Sequence, residues 1–164
     1  MRKVVVNSTP LLVLGNIGRL DILRELYGKI YIAEAVFKEV TEKNDAASTA
    51  IKSSTDWIQV LSIENPKDYA MYRAKLHAGE IETMILAQQS TLNADLVVLD
   101  DKAARNTAKF LGLKVTGTMG ILVKAKQEKI ITEVRPLLNE IVNKGFFISD
   151  RIIRSVLEAA GEQI

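Results

Sequence analysis

Cysteine is absent from the chain and histidine occurs once, as His77, so disulfides, thiolate zinc sites and multi-histidine metal clusters are all excluded. A cysteine-free chain fits a reducing compartment. The N-terminal MRKVVV meets polar residues by position 7, too early for the apolar core of a signal peptide, and the expectation is a cytoplasmic protein. No apolar run approaches the roughly 20 residues of a membrane span, so no membrane partner is expected. Aromatic residues make up 5% of the chain, too few to suggest a base-stacking platform of the single-strand-binding type. No G-x-x-x-x-G-K-[ST] loop occurs, no G-x-G-x-x-G follows a strand, and the glycines of GLKVTGTMG have the wrong spacing for either. A G-x-S-x-G elbow is missing too, so nucleotide kinases, dehydrogenases and serine hydrolases fit poorly. Internal repeats, low-complexity tracts and linkers are also lacking.

What is present is apolar and evenly spread. With 164 residues and 48% hydrophobic content, the chain can bury about 70% of its unfolded surface, and one domain over residues 1–164 is expected. Net charge is only +2, but residues 1–101 carry 11 Lys/Arg against 14 Asp/Glu, while residues 102–164 carry 11 against 6. Acid sits early and base late. Solvated helix faces of unequal sign would explain this; so would a basic surface beside an acidic pocket, an arrangement suited to a phosphodiester substrate.

Strand and helix signals alternate along the chain. Val4–Val6 is an unbroken β-branched run, as in a parallel strand covered on both faces. Thr9 followed by Pro10 reads as an N-cap and first helical position, predicting a helix over 10–17. Leu20, Leu23 and Leu26 predict a second helix closed by Gly28, and residues 30–32 a second strand. Residues 33–43 read as helix, 44–56 as a short helix or mobile loop, 57–63 as a strand, and 66–75 as helix. GEIETMILAQQ begins another helix at Gly79. DLVVL, residues 95–99, is the clearest buried strand and ends on Asp100 and Asp101; DKAARNTAKFLG follows as a helix closed by Gly112, then LKVTG as a brief strand. Helices over 118–128, 134–144 and 149–160 finish the chain. Such alternation predicts an α/β fold with a parallel sheet and helices on both faces.

In an open parallel sheet, ligands bind beyond the carboxyl ends of the strands, near the switch in strand order. Asn7 ends the first strand and Asp100–Asp101 the later one; Glu39 and Glu80 could reach the same crevice from helices. Each has an ordinary structural explanation as well. Asn7, Ser8 and Thr9 suit a strand-to-helix turn, Glu80 and Glu82 suit a helix dipole, Glu39 suits a solvated helix face, and Asp101 suits the N-cap of the next helix. If the acids converge, their mutual repulsion calls for a cation, and oxygen-only donors select magnesium or manganese. Chemistry of that kind hydrolyses phosphodiesters.

VVNSTPLLVLGNIGRLDIL, IYIAEAVFKEV, HAGEIETMILAQQ, VVLDDKAARNTAKFLGLKVTGTMGILVKAKQ and NKGFFISDRIIRSVLEAAGE resemble, in order, the blocks of the PIN-domain superfamily, and most closely a prokaryotic group of PIN-like proteins related to VapC-type toxins. The resemblance covers nearly the whole chain. It implies a three-layer α/β/α sandwich around a parallel sheet of four or five strands and a ribonuclease site using Mg²⁺ or Mn²⁺. Carried over by position, the acid at the end of the first strand falls on Asn7, that of the second helix on Glu39, that opening the G-E-x-E helix on Glu80 and that after the later strand on Asp100 or Asp101. The small hydroxyl residue beside the metal falls on Ser8 or Thr9. Glu80 with Asp100 or Asp101 would then hold the ion, Glu39 would complete the cluster, and Asn7 with Ser8 would position water or phosphate. Lys102, Arg105 and Lys109 could hold RNA phosphates. The implied partners are an RNA substrate, an antitoxin protein and further copies of the chain, with the apolar helices of the last 50 residues as candidate interfaces. Asn7 brings no charge where a carboxylate is expected, so a non-catalytic PIN-like binding module stands as the alternative. A phosphoacceptor role for Asp100 in a receiver-like or phosphatase-like protein lacks the other motifs of those families.

Overall fold

The computed structural model describes residues 2–72 and 76–164. The elements run β1 (Val4–Val6), α1 (Ser8–Asn16), α2 (Asp21–Tyr27), β2 (Ile30–Ala33), α3 (Glu34–Glu42), α4 (Ala46–Lys52), β3 (Ile58–Leu61), a 3-10 helix over Pro66–Met71, α5 (Ala78–Gln88), β4 (Leu96–Val98), α6 (Lys102–Phe110), β5 (Val115–Thr116), α7 (Thr118–Gln127), α8 (Arg135–Asn143) and α9 (Asp150–Ala159). Among the described residues the five strands are all parallel, in the order β3-β2-β1-β4-β5, and with helices on both faces they form a three-layer α/β/α sandwich.

The sheet centre is dry because its sequence leaves no alternative. Every residue of β1 and the middle of β4 is fully buried, and side chains of a strand point to opposite faces, so Val4, Val5 and Val6 pack against helices on both sides. A continuous apolar core includes Leu11 and Leu14 of α1, Val36 and Val40 of α3, Met84 and Leu86 of α5, and Ile121 and Leu122 of α7. Gly28 and Gly112 lie past the ends of α2 and α6 with φ of 73° and 80°, a left-handed turn that glycine makes without a Cβ clash.

The chain enters at the middle of the sheet. It builds outward through β2 to β3, returns through α5, and lays down β4 on the other side of β1 before ending at β5. The order therefore reverses between β1 and β4, and a crevice opens beyond their carboxyl ends.

Three expectations need correction. The first helix starts at Ser8, with Asn7 in extended conformation at the N-cap (φ −83°, ψ 178°), so Thr9 is not the cap. Pro10 occupies the third helical position, where its missing N–H is again harmless, because the first four N–H groups of a helix have no partner within it. The loop alternative for residues 44–56 gives way to α4, whose cap Asp45 accepts from the Ser48 N–H at 2.8 Å. The predicted helix over 66–75 is a 3-10 helix through Met71, and residues 73–75 of that prediction lie outside the described residues.

Candidate functional site

The switch point brings Asn7 and Asp100 to one edge. Val6 pairs with Val98 in the β1–β4 ladder, and the Asn7 N–H donates to the Val98 carbonyl at 3.0 Å. Asn7 is 4% exposed, and its Oδ1 accepts from the Thr83 hydroxyl at 3.3 Å. Thr83 lies one turn after Glu80 on the same face of α5, so α5 presents Glu80 and Thr83 together towards the end of β1.

Glu80 is the acid most withdrawn from water, 7% exposed. As the third residue of α5 it reaches back to accept the His77 N–H at 2.9 Å, one half of a capping box. Burial lifts its carboxyl above the ordinary range; the His77 N–H bond opposes this, and the negative charges of Asp101 and Glu39 add to the rise. Glu39, exposed on α3, accepts the hydroxyl proton of Ser8. Gly79 packs against that corner: a Cβ there would lie 3.0 Å from Glu39 Oε2 and 3.5 Å from Ser8 Oγ.

The two aspartates after β4 divide. Asp100 turns towards α7, where its Oδ1 accepts from the Thr118 N–H at 2.7 Å and its other oxygen accepts from the Thr118 hydroxyl. A Cβ on Gly117 would lie 2.6 Å from both Arg105 Nη1 and Asp100 Oδ1 and 3.2 Å from the Leu99 carbonyl oxygen, so a side chain there would displace the ends of both charged groups. Asp101 caps α6, accepting from the Ala104 N–H at 2.9 Å. Among the cations, Lys102 and Lys109 are exposed, whereas Arg105 is half-buried and donates to the Leu99 carbonyl at 3.2 Å. Thr9 is exposed on α1 and lines a groove with Asp100, Lys102 and Arg105.

The structure thus brings Asn7, Ser8, Glu39 and Glu80 together, with Asp101 close enough for its charge to act on Glu80. Among the described residues, no group of three or more His, Asp and Glu side chains is arranged to hold one ion. Three of these carboxylates accept hydrogen bonds from the protein: Glu39 from Ser8, Asp100 from Thr118 and Asp101 from the α6 backbone. The donor set nevertheless suits a hard divalent cation, since it is all oxygen and carries a buried carboxylate under like-charge repulsion. None of Glu39, Glu80, Asp100 and Asp101 forms an ion pair among the described residues.

Two open grooves flank the centre. One, of about 990 Å³, is lined by Glu34, Lys38, Glu39, Glu42, His77 and Glu82. The other, of about 750 Å³, runs from Asp100 past Lys102, Arg105 and Lys109 towards Phe146 and Phe147. Sequence reasoning missed Thr83, Thr118, Gly79 and Gly117. The signal for Thr83 is its spacing of three from Glu80; for Thr118, a hydroxyl directly after a glycine that ends a strand.

A family model described as PIN domain matches residues 3–162. Among solved structures, the chain is similar to a PilT N-terminus domain protein from the hyperthermophilic archaeon Sulfolobus solfataricus, with 21% identity, a TM-score of 0.44, and coverage of 76% of this chain and 93% of that one. Among curated proteins, none matches the chain in sequence.

Proposed function

The chain belongs to the PIN-domain family, whose members are generally nucleases, and from that premise we propose that it is a ribonuclease dependent on Mg²⁺ or Mn²⁺, acting as the toxin of a toxin–antitoxin pair. The observation that carries the reading is Glu80, a buried carboxyl at the switch point whose pKa is raised by burial and by the charges of Asp101 and Glu39. A divalent ion held there supplies polarisation of a phosphoryl oxygen and a lowered pKa for water. Glu80 would hold it, with Asp101 or Asp100 and Glu39 contributing charge.

The remaining roles follow from hydrogen bonds already made. Ser8 gives its hydroxyl proton to Glu39, which leaves its lone pairs free to accept from an attacking water. Asn7 Oδ1 is occupied by Thr83, which leaves its NH₂ to donate to a phosphate oxygen. Lys102 and Lys109 would hold flanking phosphates as exposed charges.

The test is cleavage of an end-labelled single-stranded RNA by the purified chain, free of any inhibitor protein, at millimolar Mn²⁺ or Mg²⁺. Cleavage is expected, with loss in Glu80→Gln; an RNA left intact by the wild-type protein overturns the proposal. Asn7 favours a second reading, a PIN-like binding module without catalysis. Activity confined to Asn7→Asp would support that reading over the first.

A further inference from the structure

Phe147 is 92% exposed, an unusual position for a phenyl ring beside a charged groove. Its neighbour Phe146 and the segment to Ile152 form one wall of the 750 Å³ groove, and α6 forms the other. Lys102, Arg105, Asn106 and Lys109 all line the groove, and their spacing of three, four and seven residues from Lys102 places them on one face of α6. The Asp100 end of this groove meets the strand switch. One wall is therefore cationic and the facing wall carries an aromatic ring open to solvent.

We propose that this groove is a binding subsite for single-stranded nucleic acid, in which Phe147 stacks on a nucleobase while Lys102 and Lys109 neutralise the phosphates on either side. The inference rests on the nuclease reading for the direction of the strand, from the groove towards Glu80, but its binding claim stands apart from catalysis. Charge complementarity selects the occupant. A duplex keeps its bases stacked inside, so it offers phosphates to the lysines and no base face to Phe147; an unpaired strand offers both. The overall aromatic content is low, yet one exposed ring set opposite a row of cations is enough for a single stacking position.

The experiment uses the full chain in EDTA, so that binding is read without cleavage, with a fluorescein-labelled oligouridine and a labelled RNA duplex as probes in fluorescence anisotropy. The wild type is expected to bind the single strand more tightly than the duplex. Phe147→Ala is expected to weaken single-strand binding by about 10-fold or more and to leave duplex binding unchanged, while Phe147→Tyr retains single-strand binding. Lys109→Gln is expected to weaken both probes and to lower the salt slope by about 0.7 for the single strand. Circular dichroism checks the fold of each variant; the exposure of residue 147 leaves the core untouched. Equal single-strand affinity in Phe147→Ala and wild type overturns the proposal, as does a wild type that binds no single strand. If Phe147→Ala instead converts a dimer to a monomer in sedimentation and leaves RNA affinity unchanged, the face joins two copies of the chain and the proposal fails. Phe147-dependent binding without cleavage in Mn²⁺ upholds the subsite and removes the nuclease, whereas cleavage with Phe147-independent binding does the reverse.

Discussion

Asn7→Asp adds one charge and turns the side chain's NH₂ donor into an acceptor, at nearly unchanged size. The backbone N–H still donates to Val98, and an aspartate oxygen accepts the Thr83 hydroxyl as the amide oxygen does. The new charge, however, enters a side chain position that is 4% exposed, beside a cluster in which Glu80 is already pushed up. Without a cation the carboxylate must either stay ionised in a dry, negative site or take up a proton. Protonating a group of reference pKa 3.9 at pH 7 costs about 4 kcal/mol, and that sets the ceiling on the destabilisation. At about 2–4 °C per kcal/mol for a chain of this length, Tm in EDTA falls by up to roughly 8–16 °C. A divalent ion about 4 Å away reverses the sign, because one added charge contributes roughly 2–8 kcal/mol of attraction before desolvation offsets part of it. In Mn²⁺ the variant is therefore expected to melt at or above wild type and to bind Mn²⁺ more tightly, by about 30-fold where roughly 2 kcal/mol of the attraction survives desolvation. Thermal denaturation at pH 7 in EDTA and in millimolar Mn²⁺, with calorimetric titration of the ion, checks both halves. A Tm difference of the same sign and size in both buffers refutes the reasoning, since position 7 would then not face a cation site.

Glu80→Gln keeps the bond from the His77 N–H and removes a carboxyl whose native pKa is raised by burial. The native state then holds a proton that the unfolded chain has released, so wild-type stability falls as pH rises from the unfolded value of about 4.3 through the native one. Urea denaturation in EDTA should show this fall flattened in Glu80→Gln, and parallel pH curves would count against it. In Gly117→Ala, the added Cβ lies 2.6 Å from both Arg105 Nη1 and Asp100 Oδ1 and 3.2 Å from the Leu99 carbonyl oxygen, so the two side-chain ends shift and the Arg105–Leu99 and Thr118–Asp100 hydrogen bonds weaken. About 1.5–3 kcal/mol should be lost in chemical denaturation, with no contribution from backbone strain, because Gly117 is extended at φ −123°. Gly15→Ala is the control far from the charges: its Cβ would meet the Ala47 Cα at 2.8 Å, forcing α1 from α4 at about 1–3 kcal/mol, and Mn²⁺ affinity should stay at the wild-type value.

The sheet was readable because its strands are short apolar runs with few competing readings. Val4–Val6 and residues 95–99 announced the two central strands, and the helices between strands followed from 3.6-residue spacing. Boundaries were less legible where polar side chains had two uses. Thr9 and Pro10 make a credible helix start, yet the helix begins earlier because Asn7 continues the ladder to Val98 through its backbone, and Ser8 is drawn towards Glu39. Those partners lie 91 and 31 residues away, beyond the reach of any local pattern. The segment Pro66–Met71 forms a 3-10 helix, and Tyr69 on it donates to Glu82, 13 residues further on, a contact that local spacing does not encode.

The aspartate pair shows most clearly what a linear reading cannot separate. Both residues follow a buried strand, both are acidic, and either satisfies the position implied by the family pattern. An extended chain sends consecutive side chains to opposite sides, so Asp100 and Asp101 cannot both serve the same centre from adjacent positions. Asp100 meets α7, where the absence of a side chain at Gly117 lets Thr118 bind it through two donors; Asp101 remains on the side where its charge acts on Glu80. Under the nuclease reading, Asp101 is therefore the aspartate to pair with Glu80, and Asp100 is the one that fixes the start of α7 and the wall of the basic groove. Asp101→Asn should accordingly lower the raised pKa of Glu80 and weaken Mn²⁺ binding, while Asp100→Asn should cost stability first. Titration of Glu80 by NMR in the two variants decides between them, and a larger fall in the Glu80 pKa with Asp100→Asn would invert the assignment.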